Sequence, residues 1–263
     1  MGSTLLNGLL KHGAIPDEDV IVFNRTIGKL DALKNARPGV MCVTHCADVA
    51  SAGIIFLCVR TADVKDMLES MLPHLSCDAH IITINGGLQI KNLERFFKGK
   101  ITKAIPSMTM GSGHGVTLIH HNDQVDGASA LMIENMFARV GMVQIVREDQ
   151  FEVAADLTSC APAFITDIVQ KFAEAGVRHS DLDPETARRL VVETLLGTAL
   201  TLSDGVVSLD EMKSMVATKG GITEQGLAVL DREMPRVFDQ VLEATVSKHE
   251  TVKGSITCQF DLG

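Results

Sequence analysis

The sequence predicts an α/β domain followed by an all-α domain. Three observations carry that reading. Short apolar runs rich in β-branched residues alternate with amphipathic stretches through the first half of the chain. Beyond Arg147 the strand signals stop. Long helical patterns follow to the C-terminus, without repeat, low-complexity tract or flexible linker.

Taken in order, the chain opens on the helical pattern Met1-Gly2-Ser3-Thr4-Leu5-Leu6-Asn7-Gly8-Leu9-Leu10. Strands are expected at 20–23, 53–59 and 81–84, each apolar on both faces as a strand covered by helices on either side must be. Helices are expected between them at 26–35 and 62–75. The second repeats Val64, Met67, Leu68, Met71 and Leu72 at helical spacing. This alternation implies βαβ units with helices on both faces of a parallel sheet. Further strands are expected at 103–105, 115–120 and 141–146, the last after a helix at 128–139. The helical half reads as 149–175, 184–204, 209–217 and 222–246. Pro184 behind Asp183 is a good helix start, because proline suits the first helical position and the acid precedes it. The two domains are therefore set at 1–147 and 148–263.

Composition narrows the function. Of 263 residues, 46% are apolar and 22% charged, which suits a folded globular chain. The net charge of −9 is uneven. Through Arg147 there are fourteen Lys and Arg against thirteen Asp and Glu, and afterwards ten against twenty. An acidic chain without a basic stripe is a poor binder of nucleic acid or anionic membrane. Six cysteines without a CxxC pair read as reduced thiols of a cytoplasmic protein, and no apolar run approaches the roughly 18 residues of a membrane span. Cys42, His45 and Cys46 lack a second pair at zinc spacing, so no metal site is expected. His120 and His121 end a strand and face opposite ways. Cys160 reads as a buried thiol, and Met212 and Met215 as helix packing.

The N-terminus looks like the first helix of a dinucleotide-binding βαβ unit. Gly2, followed by Ser3, would be the last glycine of a G-x-G-x-x-G turn. The first strand and first two glycines of such a unit do not appear. A doubly wound sheet holds that strand centrally, so its absence should open a slot between the strands at 20–23 and 53–59. The expectation is a misassigned start or weak cofactor binding. After the 20–23 strand the chain carries Asn24-Arg25-Thr26 where an NAD-binding fold would place an acid. Arginine with small polar neighbours accommodates a 2′-phosphate, which favours NADP(H) over NAD(H).

With Val59-Arg60-Thr61-Ala62-Asp63-Val64 after the next strand, the order of motifs resembles the pyrroline-5-carboxylate reductase family over nearly the whole chain. The family's glycine turn corresponds to Asn85-Gly86-Gly87, its M-P-N-like turn to Ile105-Pro106-Ser107, and its G-S-G-P-A stretch to Ser159-Cys160-Ala161-Pro162-Ala163. Its signature S-P-G-G-T-T-x-x-G-L corresponds to Thr218-Lys219-Gly220-Gly221-Ile222-Thr223-Glu224-Gln225-Gly226-Leu227. The spellings Ile-Pro-Ser, Ser-Cys-x-Pro-Ala-Phe and Lys-Gly-Gly-x-Thr are similar to its ComER-like, late-competence branch. The resemblance implies a Rossmann domain, then a helical domain whose long helices interlock in a homodimer. The apolar stripe Leu227, Leu230, Met234, Val237 and Val241 would serve that dimer or a core within the helical domain.

It also implies NADPH-dependent reduction of a cyclic imine carboxylate. Gly2, Ser3, Asn24, Arg25, Thr26, Val59, Arg60, Asn85 and Gly86 would hold NADP(H). Thr218, Lys219, Gly220 and Gly221 would cradle the substrate carboxylate at a helix N-terminus. Thr223 would hydrogen-bond or relay a proton to the imine nitrogen, since an unperturbed hydroxyl is too weak an acid to act alone. Lys219, Ile222 and the Ser159-Cys160-Ala161 stretch depart from the family spelling and leave the substrate open. The alternative is a degenerate or regulatory member without catalysis. A β-hydroxyacid dehydrogenase would need a K-x-x-N helix after G-x-x-G-x-G, and neither occurs.

Overall fold

The computed structural model describes residues 1–261 and divides into two compact units, Met1–Cys160 with the C-terminal residues from Thr245, and Ala161–Ala244. The division falls later than the 147/148 boundary set on the sequence, and the end of the last helix rejoins the first unit.

The first unit is built on β3 (Ile54–Leu57), β4 (His80–Thr83), β5 (Lys100–Pro106), β6 (Gly115–His121) and β7 (Gly141–Ile145). They form one sheet in the order β3-β4-β5-β6-β7. All neighbours are parallel except β5 and β6. Side chains alternate across each strand. Ile55, Leu57, Ile81 and Ile101 therefore meet α3 (Thr61–Met71) and the C-terminal part of α10 (Ile222–Asp261), through Val64, Leu68, Ile256 and Phe260. On the other face Ile54, Phe56, Ile82 and Ala104 pack on Leu5 and Leu9 of α1 (Gly2–Lys11) and Ile133 and Phe137 of α5 (Gly127–Ala138). The result is three layers.

A separate two-stranded sheet pairs β1 (Ile21–Phe23) with β2 (Met41–Val43), parallel, around α2 (Ile27–Ala36). The sheet thus divides between β1 and β3, where the sequence predicts an opened slot. Strand β2 is not in the sequence reading. Its three residues, Met41-Cys42-Val43, are apolar but make a strand too short to stand out as a period. Short helix α4 (Ile90–Leu93) is also new. The single helix expected at 149–175 is instead a 3₁₀ turn, α6 (Phe151–Ala155), a π segment (Asp156–Cys160) and α7 (Ala161–Arg178). α10 runs to Asp261, well past the expected end at 246.

The second unit holds α7, α8 (Pro184–Ser203), α9 (Leu209–Val216) and the first part of α10. Asp183 caps α8 by accepting from the Thr186 N–H at 3.0 Å. Among the described residues, Ala173 and Ala187 alone are its buried apolar side chains. Leu230 and Val237 of the expected stripe are exposed, as are Phe172, Leu200 and Ile222. Met215 is exposed as well, so within one chain it does not pack. No described helix is long and apolar enough to cross a membrane.

A buried polar chain links three strands of the first unit. His80 Nε2 and His121 Nδ1 each lie 2.7 Å from the Thr102 hydroxyl, and His121 Nε2 lies 3.4 Å from Glu134. One hydroxyl proton serves one imidazole, so the other ring must donate. Burial, with His121 and Lys100 nearby, pushes His80 down to about 4. In the unfolded chain it titrates near 6.5. Between those values the unfolded state binds a proton that the folded state refuses. The contribution of His80 to stability is therefore fully present above about pH 6.5 and is lost as pH drops toward 4, at most on the order of 3 kcal/mol. Urea midpoints across that range should show the decline, and His80→Gln should flatten it.

Candidate functional site

In the first unit the expected cofactor residues come together at the β3 end of the sheet. α1 begins at Gly2 so close to the turn after β3 that a Cβ on Gly2 would stand 2.9 Å from the Cys58 Cβ. Glycine there lets a helix N-terminus, with its unpaired N–H groups, approach the Val59 and Arg60 turn. Arg60 ends that turn and α3 starts at Thr61.

Asp63, in the first turn of α3, ties two loops together. It accepts from Arg25 Nη2 at 3.0 Å, and from Arg60 Nε at 3.0 Å and Nη2 at 3.4 Å. These guanidinium groups hold its carboxyl below the usual range, Arg60 most strongly. Asn24 Oδ1 accepts from the Thr26 N–H at 2.9 Å and fixes the loop that carries Arg25. The triad carries a net positive charge, with the Arg25 side chain well exposed. Replacing Arg25 by Ala should weaken NADPH by about 1–3 kcal/mol more than NADH. Equal losses in a fluorescence titration would remove the 2′-phosphate assignment.

After β4, Asn85 Oδ1 accepts from Thr61 Oγ1 at 3.0 Å, joining this turn to the start of α3. Its Nδ2 is buried and has no hydrogen-bond partner among the described residues. Gly87 sits against α10, where a Cβ would come within 2.7 Å of Val252. A helix N-terminus approached through glycine, an exposed arginine pair and an orphaned amide donor suit a dinucleotide phosphate and carboxamide. The donor set fits NADP(H).

The expected substrate residues lie in the second unit. Gly220 has φ +73° and its N–H donates to Glu224 Oε2 at 2.7 Å. Gly221 donates to the Thr218 carbonyl at 2.8 Å, and a Cβ there would come within 2.5 Å of the Thr218 hydroxyl. The turn thus requires both glycines. It already presents a backbone N–H to a carboxylate at the start of α10. Ile222 is 94% exposed, and Thr223 sits one residue on in the same first turn.

One chain aligns with 30% identity over 251 residues to "Pyrroline-5-carboxylate reductase 3" of Bacillus subtilis, covering 95% of this chain and 92% of that protein. The chain belongs to the pyrroline-5-carboxylate reductase family. The family model for pyrroline-5-carboxylate reductase dimerisation matches residues 148–252, and one described as "NADP oxidoreductase coenzyme F420-dependent" matches residues 1–87. The chain is also 27% identical to "ComE operon protein 4" of Bacillus subtilis, covering 99% of this chain and 96% of that one. Among solved structures, a pyrroline-5-carboxylate reductase from Coxiella burnetii is 27% identical with a TM-score of 0.87, covering 95% and 94% of the two chains. The Rossmann-type domain followed by a helical domain is therefore the family's own plan.

Within this family member, the sequence reading also misses a buried carboxylate and a buried ammonium. Asp156, in the π segment, accepts from Thr245 Oγ1 at 2.6 Å and lies 3.2 Å from His249 Nε2. Burial and then Asp156 push the neighbouring Cys160 thiol up, which leaves it a poor nucleophile. The other is Lys103, on the inner register of β5 between Thr102 and Ala104. In both cases the available signal is one charge inside an apolar pattern.

Proposed function

We propose that this chain reduces a cyclic imine carboxylate, of the pyrroline-5-carboxylate kind, with NADPH. The observation that carries the reading is the Thr218–Gly221 turn, which holds a carboxylate on a backbone N–H one turn from the Thr223 hydroxyl. Bound NADPH supplies the hydride. The chain supplies position and a proton path. Gly2 and Ser3 would meet the pyrophosphate, Asn24, Arg25 and Thr26 the 2′-phosphate side, and Val59, Arg60, Asn85 and Gly86 the nicotinamide side. Thr218, Lys219, Gly220 and Gly221 would hold the substrate carboxylate in place of Glu224. Thr223 would pass a proton to the imine nitrogen.

Titration with NADPH followed by turnover of pyrroline-5-carboxylate tests the proposal. Micromolar NADPH binding without oxidation by that imine would restrict the reading to another imine. The assembly proposed is a cytoplasmic homodimer built on the helical unit, because so many of its apolar side chains are exposed in one chain. Light scattering at micromolar concentration should give at least twice the 28.3 kDa chain mass.

A further inference from the structure

Lys103 is 1% exposed, in the middle strand of the five-stranded sheet. Its Nζ donates to the Gly86 carbonyl at 2.8 Å and lies 4.6 Å from the Phe151 ring centroid. Two carboxylates stand near, but each is engaged. Glu148 accepts the Ile90 N–H at 2.7 Å, and Glu152 pairs with Lys253. A buried ammonium satisfied by a carbonyl and a ring is costly to keep. Its position is the informative part.

The turn it holds is otherwise pinned on two sides. Gly87 is closed in by Val252 and Ile256. Asn85 donates its N–H to Thr83 Oγ1 at 3.3 Å and accepts from Thr61. What remains is the buried Nδ2 of Asn85, without a partner among the described residues. An amide donor left free at a buried position is a cost that a ligand acceptor reaching the turn would remove.

We propose that Lys103 is a positioning residue: by fixing the Gly86 carbonyl it aims the Asn85 amide at a carbonyl acceptor on the bound cofactor. This rests on the reading that the turn at 85–87 lines the cofactor site. Burial pushes the Lys103 ammonium down to about 8, with Glu148 and Glu152 pulling it up and Lys253 pushing it further down. The grip on Gly86 therefore weakens as pH rises through about 8.

The test is NADPH affinity by fluorescence titration of the full chain, with a melting curve for each variant. K103M should bind NADPH about tenfold more weakly at pH 7, and K103R within about threefold of wild type. Wild-type affinity should fall between pH 7 and 9, while K103R stays level. N85A should weaken binding alone but add nothing to K103M, because the two act as one unit. Additive losses, or parallel pH profiles for wild type and K103R, would overturn the proposal. Should K103M fail to melt cooperatively, the K103R profile decides. If wild type itself binds no NADPH, the nucleotide-site reading falls first and takes this inference with it.

Discussion

Replacing Thr223 by Val is expected to lower kcat for imine reduction about a hundredfold, with little change in melting temperature or NADPH affinity. Thr223 lies in the first turn of α10, directly after the turn whose Gly220 N–H holds a carboxylate. A carboxylate fixed there and a hydroxyl one residue into the helix give a substrate one anchor and one proton relay. Valine keeps the branched shape and removes the oxygen. Thr223→Ser should retain most of the rate. A raised KM with unchanged kcat would make the residue a binding group instead.

Replacing Gly141 by Ala is expected to cost about 4 kcal/mol or more, or to prevent folding. Gly141 opens β7 at φ +142°, and a Cβ there would stand 2.0 Å from the Gly115 carbonyl oxygen. The obstruction is backbone. Gly115 is its register partner on β6 and cannot retreat, because its own Cα side lies against the Met110 backbone, 2.7 Å from an added Cβ. Urea denaturation measures the loss. Gly28→Ala, in α2 where an added Cβ meets no atom of the described residues within 4 Å, is the control and should be neutral or slightly stabilising.

The pattern-bearing parts of the fold were legible in the residues. Six of the seven strands among the described residues lie where the sequence places strands, and α3, α5, α8 and α9 start within a residue or so of their signals. Strand β2 escaped because its three residues, though apolar, are too few to show a period. The π segment escaped because a one-residue widening of a helix barely alters its apolar spacing. Of the site, the sequence supplies the residue types, glycines for close approach and Arg25 for an anion. It says nothing of Asp63 joining Arg25 to Arg60, since that pairing depends on two loops 38 residues apart.

The sequence by itself determined the layered α/β plan, the helical half and the glycine turn before α10, because each is written in local periodicity or local backbone demand. Tertiary structure alone decided that α10 continues to Asp261 and lays Ile256 and Phe260 into the first unit's core. It likewise decided that Lys103 is enclosed beneath the turn at 85–87. An apolar stripe shows that a face must be covered but not by what, and a lone lysine in a strand shows its face only once the neighbouring strands are paired.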